Sequence, residues 1–277
     1  MNRAVLNSYL NPDFAYSFRK VISTATLSCR VRRSSDNAEQ NIGFVGNDLD
    51  TASLLSFVGA NNGFITTIYE QKGTGGNLVQ ITAANQFQIV SSGTLVTNNG
   101  KSSCIAAGGK YMFTTTLFSP NVTTGASLFS VTKPISQIGS FSVDFSYSIG
   151  NGNNSTTGRF IESSILGPSG VPTTYVQFIQ QGTSAIQTPY TSGTKLLSHL
   201  IKTGDNKYYQ NNALIGSNST TLNTPAAGQA LVINSTSWSM GAITTNQYFS
   251  EILIYNSDQN TDLTTINTNI NSYYSIY

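Results

Sequence analysis

The sequence predicts an all-β fold, a two-layer antiparallel sandwich or jelly roll with two short helices, and three observations carry that prediction. Residues 141–149 alternate strictly, with Phe141, Val143, Phe145, Tyr147 and Ile149 on one face and Ser142, Asp144, Ser146 and Ser148 on the other. One dry face and one wet face mark a strand of an antiparallel sandwich. Short strand-like runs recur at 64–69, 86–90, 111–118, 126–132, 159–166, 174–180, 195–202, 207–215, 229–235 and 249–255, divided by clusters of Gly, Asn, Ser and Pro. Without β-α alternation, that is a sheet-on-sheet layout. Finally, charged residues are only 9% of the chain while Tyr and Phe number 14 each. Disordered chains combine high charge with few aromatics, so this composition belongs to a folded β-protein whose polar surface is Ser, Thr, Asn, Gln and Gly.

A chain of 277 residues can bury a full core. Residues 1–277 are expected to form a single domain, with 1–20 as a lead-in: a short helix before Pro12 and an extended piece after it. Arg30 and Arg32 alternate with Cys29 and Val31, so the two arginines share a face. Asp50 or Thr51 is a natural N-cap and Gly59 a natural C-cap, with Leu54, Leu55, Phe57 and Val58 at helical spacing between them. These predict a helix near 51–58. The Gly/Ser/Asn-rich stretch 91–110 reads as a long loop within the domain. Residues 204–207 read as a hairpin turn leading into one strand, 207–215. Phe249, Ile252, Leu253, Ile254 and Tyr255 form an apolar run, the mark of a central strand buried on both faces. Asp262 can cap a second helix near 262–274, whose apolar stripe is Leu263, Ile266, Ile270, Tyr273, Tyr274 and Tyr277.

Charge and composition exclude several partners. The net charge is +2, too little for a general pull toward polyanions. Arg3, Arg19, Lys20, Arg30, Arg32 and Arg33 crowd the first 33 positions, but no basic helix or aromatic interleaving accompanies them, so no nucleic-acid partner is expected. No run of about 18 apolar residues exists, so no membrane insertion is expected. The first residues lack the apolar core of a signal peptide, and the expectation is a protein made in a cytoplasm and released by lysis or in an assembled particle. Cys29 and Cys104 are expected to be buried free thiols. The single histidine, His199, lies in an alternating strand without a nucleophile pattern, so it reads as a strand residue rather than a triad base. No metal site or cofactor is expected. His and Cys ligands are too few, and the loop 150–154 lacks carboxylates, leaving only a calcium ion open.

The densest ionic stretch is 30–39, and Arg32 or Arg33 is expected to clamp Asp36 or Glu39. Glycoside hydrolysis would need two carboxylates at about 5–9.5 Å. The twelve acids are Asp13, Asp36, Glu39, Asp48, Asp50, Glu70, Asp144, Glu162, Asp205, Glu251, Asp258 and Asp262. Most belong to turns, caps and clamps. Asp144, Glu162 and Glu251 are the sheet-face candidates, Asp144 foremost. Trp238, flanked by small polar residues, is either a sugar platform or a core residue.

Three segments also carry a resemblance: Ala15-Tyr16-Ser17-Phe18-Arg19-Lys20, Val31-Arg32-Arg33-Ser34-Ser35-Asp36 and Ile65-Thr66-Thr67-Ile68-Tyr69-Glu70-Gln71. Together they resemble the opening of the fungal α-L-arabinofuranosidase B catalytic domain, whose pattern there is "AYS-R-R", "VRRSSD" and "ITTIYDQSG-GN". This chain departs at Glu70 and Lys72, where that family has Asp and Ser. The strand 249–255 with its following helix, and the run 207–216, are similar to the end of the laminin-G/concanavalin A-like superfamily. The resemblance covers about the first 90 residues and the C-terminal end, and implies a concanavalin A-like β-sandwich.

In that family a loop before the last strand carries the general acid, whereas 240–246 here has no Asp or Glu; the nucleophile's middle segment finds only Glu162 as a loose counterpart, and the family's disulfides are missing. The expectation is a retained scaffold without catalytic residues. Similar modules occur in virion proteins of tailed phages. The chain is therefore expected to be a non-catalytic structural or appendage protein of such a virion, as capsid decoration, head fibre or tail component. Its expected partners are other virion proteins and copies of itself, with host-surface glycans as ligands. An α-L-arabinofuranosidase-like hydrolase and a bacterial surface lectin-like module are the alternatives.

Overall fold

The computed structural model describes residues 11–73, 76–114, 120–137, 144–150, 159–168, 171–179, 184–223, 229–236 and 245–277. Every strand pairing among them is antiparallel, and the fold is the all-β sandwich that the sequence predicts. One layer runs Ala213–Asn218, Asn206–Gln210, Lys195–Ile201, Ala126–Gln137, Thr245–Tyr255, with Phe14–Ser17 beside the last. The longer layer runs Glu39–Val45, Leu27–Arg33, Gly63–Ile68, Leu78–Val79, Met112–Thr114, Ala230–Ile233, Asp144–Gly150, Arg159–Leu166, Thr174–Ile179, Ser184–Pro189. Phe87–Ser91 and Cys104–Ala106 hydrogen-bond the two layers into one continuous ladder at their shared margin.

The alternating strands divide their side chains between two cores. Leu128, Leu197, Ile201, Ile252 and Ile254 face the other layer. Phe129, Val131, Leu196, Leu200, Leu253 and Tyr255 point the opposite way, onto Leu263, Ile266, Ile270 and Tyr274 of the C-terminal helix. Thr245–Tyr255 is thus covered on both faces, which is why its apolar residues do not alternate with polar ones. That helix spans Leu263–Tyr274; Asp262 takes the cap position but its side chain makes no capping bond. The other helix, Thr51–Val58, starts at Asp50, whose carboxylate accepts from the Ser53 N–H at 3.0 Å and the Ser53 hydroxyl at 2.7 Å. It ends at Gly59 with φ of 61°, the left-handed conformation glycine takes without a Cβ clash.

Three expectations are corrected. The run 207–215 is two strands rather than one, folded at Asn211 and Asn212 with φ of 52° and 64°. Asn tolerates this left-handed pair, and a two-residue turn of that hand matches the twist of its strands. The stretch 91–110 is no loop: Thr94–Leu95, Thr97–Asn98, Lys101–Ser102 and Cys104–Ala106 all pair. The face of the 141–149 strand expected to be wet is dry at Ser146 and Ser148, which are 2% and 0% exposed. A pattern of alternation shows which residues share a face, but not whether another part of the chain covers it. Residues 1–10 and 138–143 lie outside the described residues.

Candidate functional site on the outer face of the long sheet

Register places one row of side chains straight across the long sheet: Arg30, Thr67, Val79, Phe113, Val232, Ser148 and Glu162 stand opposite one another, strand by strand. Directly opposed residues share a face. The intervening Val31, Ile65, Ile68, Leu78, Met112, Ile233, Tyr147 and Ile161 fill the inter-sheet core, so the row is on the outer face. Its burial changes along its length. Arg30 is exposed, and Thr67, Val79 and Phe113 are half-buried. Val232, Ser148 and Glu162 are buried at 1%, 0% and 2%. A carboxylate stands there in the middle of a sheet, with Ser148 across from it and Ser164, also fully buried, two residues along.

The three sheet-face acids have separate fates. Glu251 is on the other layer, under the C-terminal helix, and fully buried. Its Oε2 accepts from Arg19 Nε at 2.7 Å and Ser17 Oγ at 2.7 Å, and its Oε1 from Arg19 Nη2 at 2.8 Å. Arg19 is 3% exposed, donates Nη1 to Asn269 Oδ1 at 2.9 Å, and lies 5.2 Å and 5.8 Å from the ring centroids of Tyr273 and Tyr274. This forked pair joins the N-terminal strand, the last strand and the C-terminal helix. It is architecture, and nothing in the sequence spacing of 232 residues points to it. Asp144 stands opposite Ile165, three residues along the partner strand from Glu162, with a register shift between Phe145 and Tyr147; that is about 10 Å by strand rise.

Several other carboxylates are tied into the architecture. Arg33 grips Asp36 with two bonds, 3.0 and 2.6 Å, as expected for the clamp, and the guanidinium holds the Asp36 carboxyl down at about 2. Arg30 pairs with Glu39 at 2.6 Å. Arg32 pairs with neither acid: Nε goes to Gln86 Oε1 at 2.8 Å and Nη1 to Asn37 Oδ1 at 2.7 Å. Glu70 accepts from the Ala15 N–H at 3.0 Å and the Lys72 N–H at 2.9 Å, while Lys72 reaches Asp13 at 3.5 Å. These two departures from the arabinofuranosidase pattern fasten the lead-in to a loop beside a pocket of about 250 Å3 lined by Thr24–Leu27 and Tyr69–Gly73.

His199 is buried between the layers. Its Nε2 lies 2.7 Å from the Tyr147 hydroxyl, its ring packs against Tyr208, and burial pushes its imidazole down to about 3. It is a neutral core residue, far from acting as a base. Cys29 and Cys104 are free and buried, and burial raises the Cys29 thiol to about 12. Among the described residues no group of His, Cys, Asp and Glu is arranged to hold a metal ion, and no helix is long and apolar enough to cross a membrane. Trp238, the loop 151–154 and residues 240–244 of the acid-loop counterpart lie outside the described residues.

No family model matches the chain, and no curated protein matches it by sequence. Among solved structures, it superimposes on a mutant GH54 α-L-arabinofuranosidase soaked with 4-nitrophenyl α-L-arabinofuranoside, with a TM-score of 0.73 and 13% identity over 94% of this chain and 62% of that one. An arabinofuranosidase complexed with arabinofuranosyl-α-1,2-xylobiose gives the same TM-score and identity over 98% of this chain and 64% of the other. The chain therefore spans less than two thirds of the length of these enzymes. At such identity the likeness is one of fold: this β-sandwich is similar to the one in these arabinofuranosidases.

Proposed function

We propose that this chain is a glycan-recognising structural module of a tailed-phage virion, carried in several copies and built on the arabinofuranosidase sandwich without sugar turnover. The observation that carries the reading is the carboxylate inventory. None of the twelve acids falls in a segment outside the described residues, so those segments bring no Asp or Glu to any site. Glu251, Asp36 and Glu39 are committed to arginines, Asp50 to a helix cap and Glu70 to backbone amides. Glu162 is buried on the outer face, and among the described residues Asp144 is the one acid on a strand paired with its own. Removing one of two catalytic carboxylates costs orders of magnitude in rate. A low-charge surface of hydroxyls and amides suits sugar, and the virion setting rests on the tailed-phage modules that the N-terminal motifs resemble.

A second reading, an arabinofuranosidase-like hydrolase, draws on the burial of Glu162 at the centre of that face. One assay separates the two. Purified protein is incubated with 4-nitrophenyl α-L-arabinofuranoside beside its Glu162→Gln variant. The proposal expects no release above a buffer blank from either. Release that disappears in the variant establishes the hydrolase instead. The binding arm is a glycan array probed with multimerised protein, because weak sugar sites gain by many copies acting together. The setting is tested by mass spectrometry of purified phage particles.

A further inference from the structure

The exposed end of the same row departs from the rest of this sparsely charged surface. Lys110 Nζ and the Arg32 guanidinium both sit over the Phe64 ring, 5.8 Å and 5.1 Å from its centroid. Lys110 donates to the Ala84 carbonyl at 2.7 Å, and among the described residues neither cation has a carboxylate partner. Burial, and then the Arg32 charge, pull the Lys110 ammonium below its ordinary value, as expected of like charges held together. Beside them a pocket of about 230 Å3 is lined by Arg30, Glu39, Thr66, Thr67, Val79, Ile81 and Gln86. Gln86 is 1% exposed and holds Arg32 in place. Ile81, in the pocket wall, is 91% exposed. Three cations against the single carboxylate of Glu39 leave the site positive.

We infer that this pocket and the two unneutralised cations beside it recognise an anionic sugar residue, a uronate or a sulfated unit, of the glycan bound by the outer face. Arg32 and Lys110 would take the carboxylate or sulfate. Thr66 and Thr67 line the pocket with hydroxyls for the sugar, Gln86 is engaged with Arg32 and the Gln80 carbonyl and fixes the guanidinium, and Val79 and Ile81 offer apolar contact to a ring. The assignment deepens the glycan-binding reading and rests on it. A planar guanidinium beside an ammonium suits a forked anion, and exposed charges of this kind act with a strong salt dependence.

The test is calorimetric titration with oligogalacturonate, its fully methyl-esterified neutral form, chondroitin sulfate oligosaccharide and inorganic sulfate. An acidic oligosaccharide is expected to bind at least tenfold tighter than the ester. Lys110→Gln should weaken it about threefold. Ile81→Glu, which places a negative charge in the pocket wall at a site with almost no packing to lose, should weaken it about tenfold. Lys207→Gln, the same charge change on the other layer, should leave it unchanged. The carboxylate and sulfate probes decide which anion is preferred. Equal binding of ester and acid, indifference to both pocket variants, or inorganic sulfate binding as tightly as the sugars overturns the assignment. If neutral glycans bind and acidic ones do not, this inference fails while the glycan-binding reading stands; if no glycan of either charge binds, both fail.

Discussion

Replacing Glu251 by Ala breaks a fully buried ion pair. The carboxylate is fully buried and accepts two bonds from Arg19 and one from Ser17, with Tyr274 OH a further 3.4 Å from Oε2. Without it, the Arg19 guanidinium keeps, among the described residues, Asn269 and two tyrosine faces, and a buried charge stands without its carboxylate. Breaking a buried pair from one side costs about 3–5 kcal/mol. At about 2.1 cal/mol/K of unfolding entropy per residue, a chain of 277 residues unfolds with roughly 0.6 kcal/mol/K, so the midpoint should fall by about 5–9 °C. Differential scanning calorimetry reads this directly. Arg19→Met combined with Glu251→Leu removes both charges into a site lined by Tyr273 and Tyr274, and should recover most of the loss. A fall of less than about 1 °C for Glu251→Ala, or a double variant as unstable as the single one, would refute the reasoning.

Three further outcomes rest on named groups. The folded-state value of His199 is depressed, so its contribution to stability is complete above about pH 6.5 and is lost as pH falls toward about 3; denaturant titrations at pH 7 and pH 4.5 should differ by about 2–3 kcal/mol, and a His199→Gln variant should flatten that slope. Asp36 titrates at about 2 because Arg33 grips it, so its contribution is present above about pH 4 and disappears as pH drops through about 2; carboxyl NMR of Arg33→Gln should find Asp36 back in the ordinary range, and an unmoved resonance counts against the clamp. Asp50→Ala removes the cap of the Thr51–Val58 helix and should cost about 1 kcal/mol, while Asp50→Asn, measured by the same urea midpoint, should cost little.

Local chemistry was legible in the sequence wherever neighbours in the chain are also neighbours in space. The helix Thr51–Val58 is bounded by Asp50 and Gly59 because a side-chain oxygen and a missing Cβ act over one turn. The Arg33–Asp36 clamp spans three residues, and the apolar run before Tyr255 announces a strand covered on both faces. The order of the chain does not contain which distant surfaces meet. Arg19 finds Glu251, Tyr147 finds His199, and Lys110 is brought over Phe64 beside Arg32 only because strands from both ends of the chain pair in one ladder. Ser146, Ser148 and Glu162, whose residue types alone read as solvated, are buried in the structure. Alternation sets the face on which a side chain stands; burial, and with it the difference between a solvated acid and a buried carboxylate, is decided by whatever tertiary structure lays over that face.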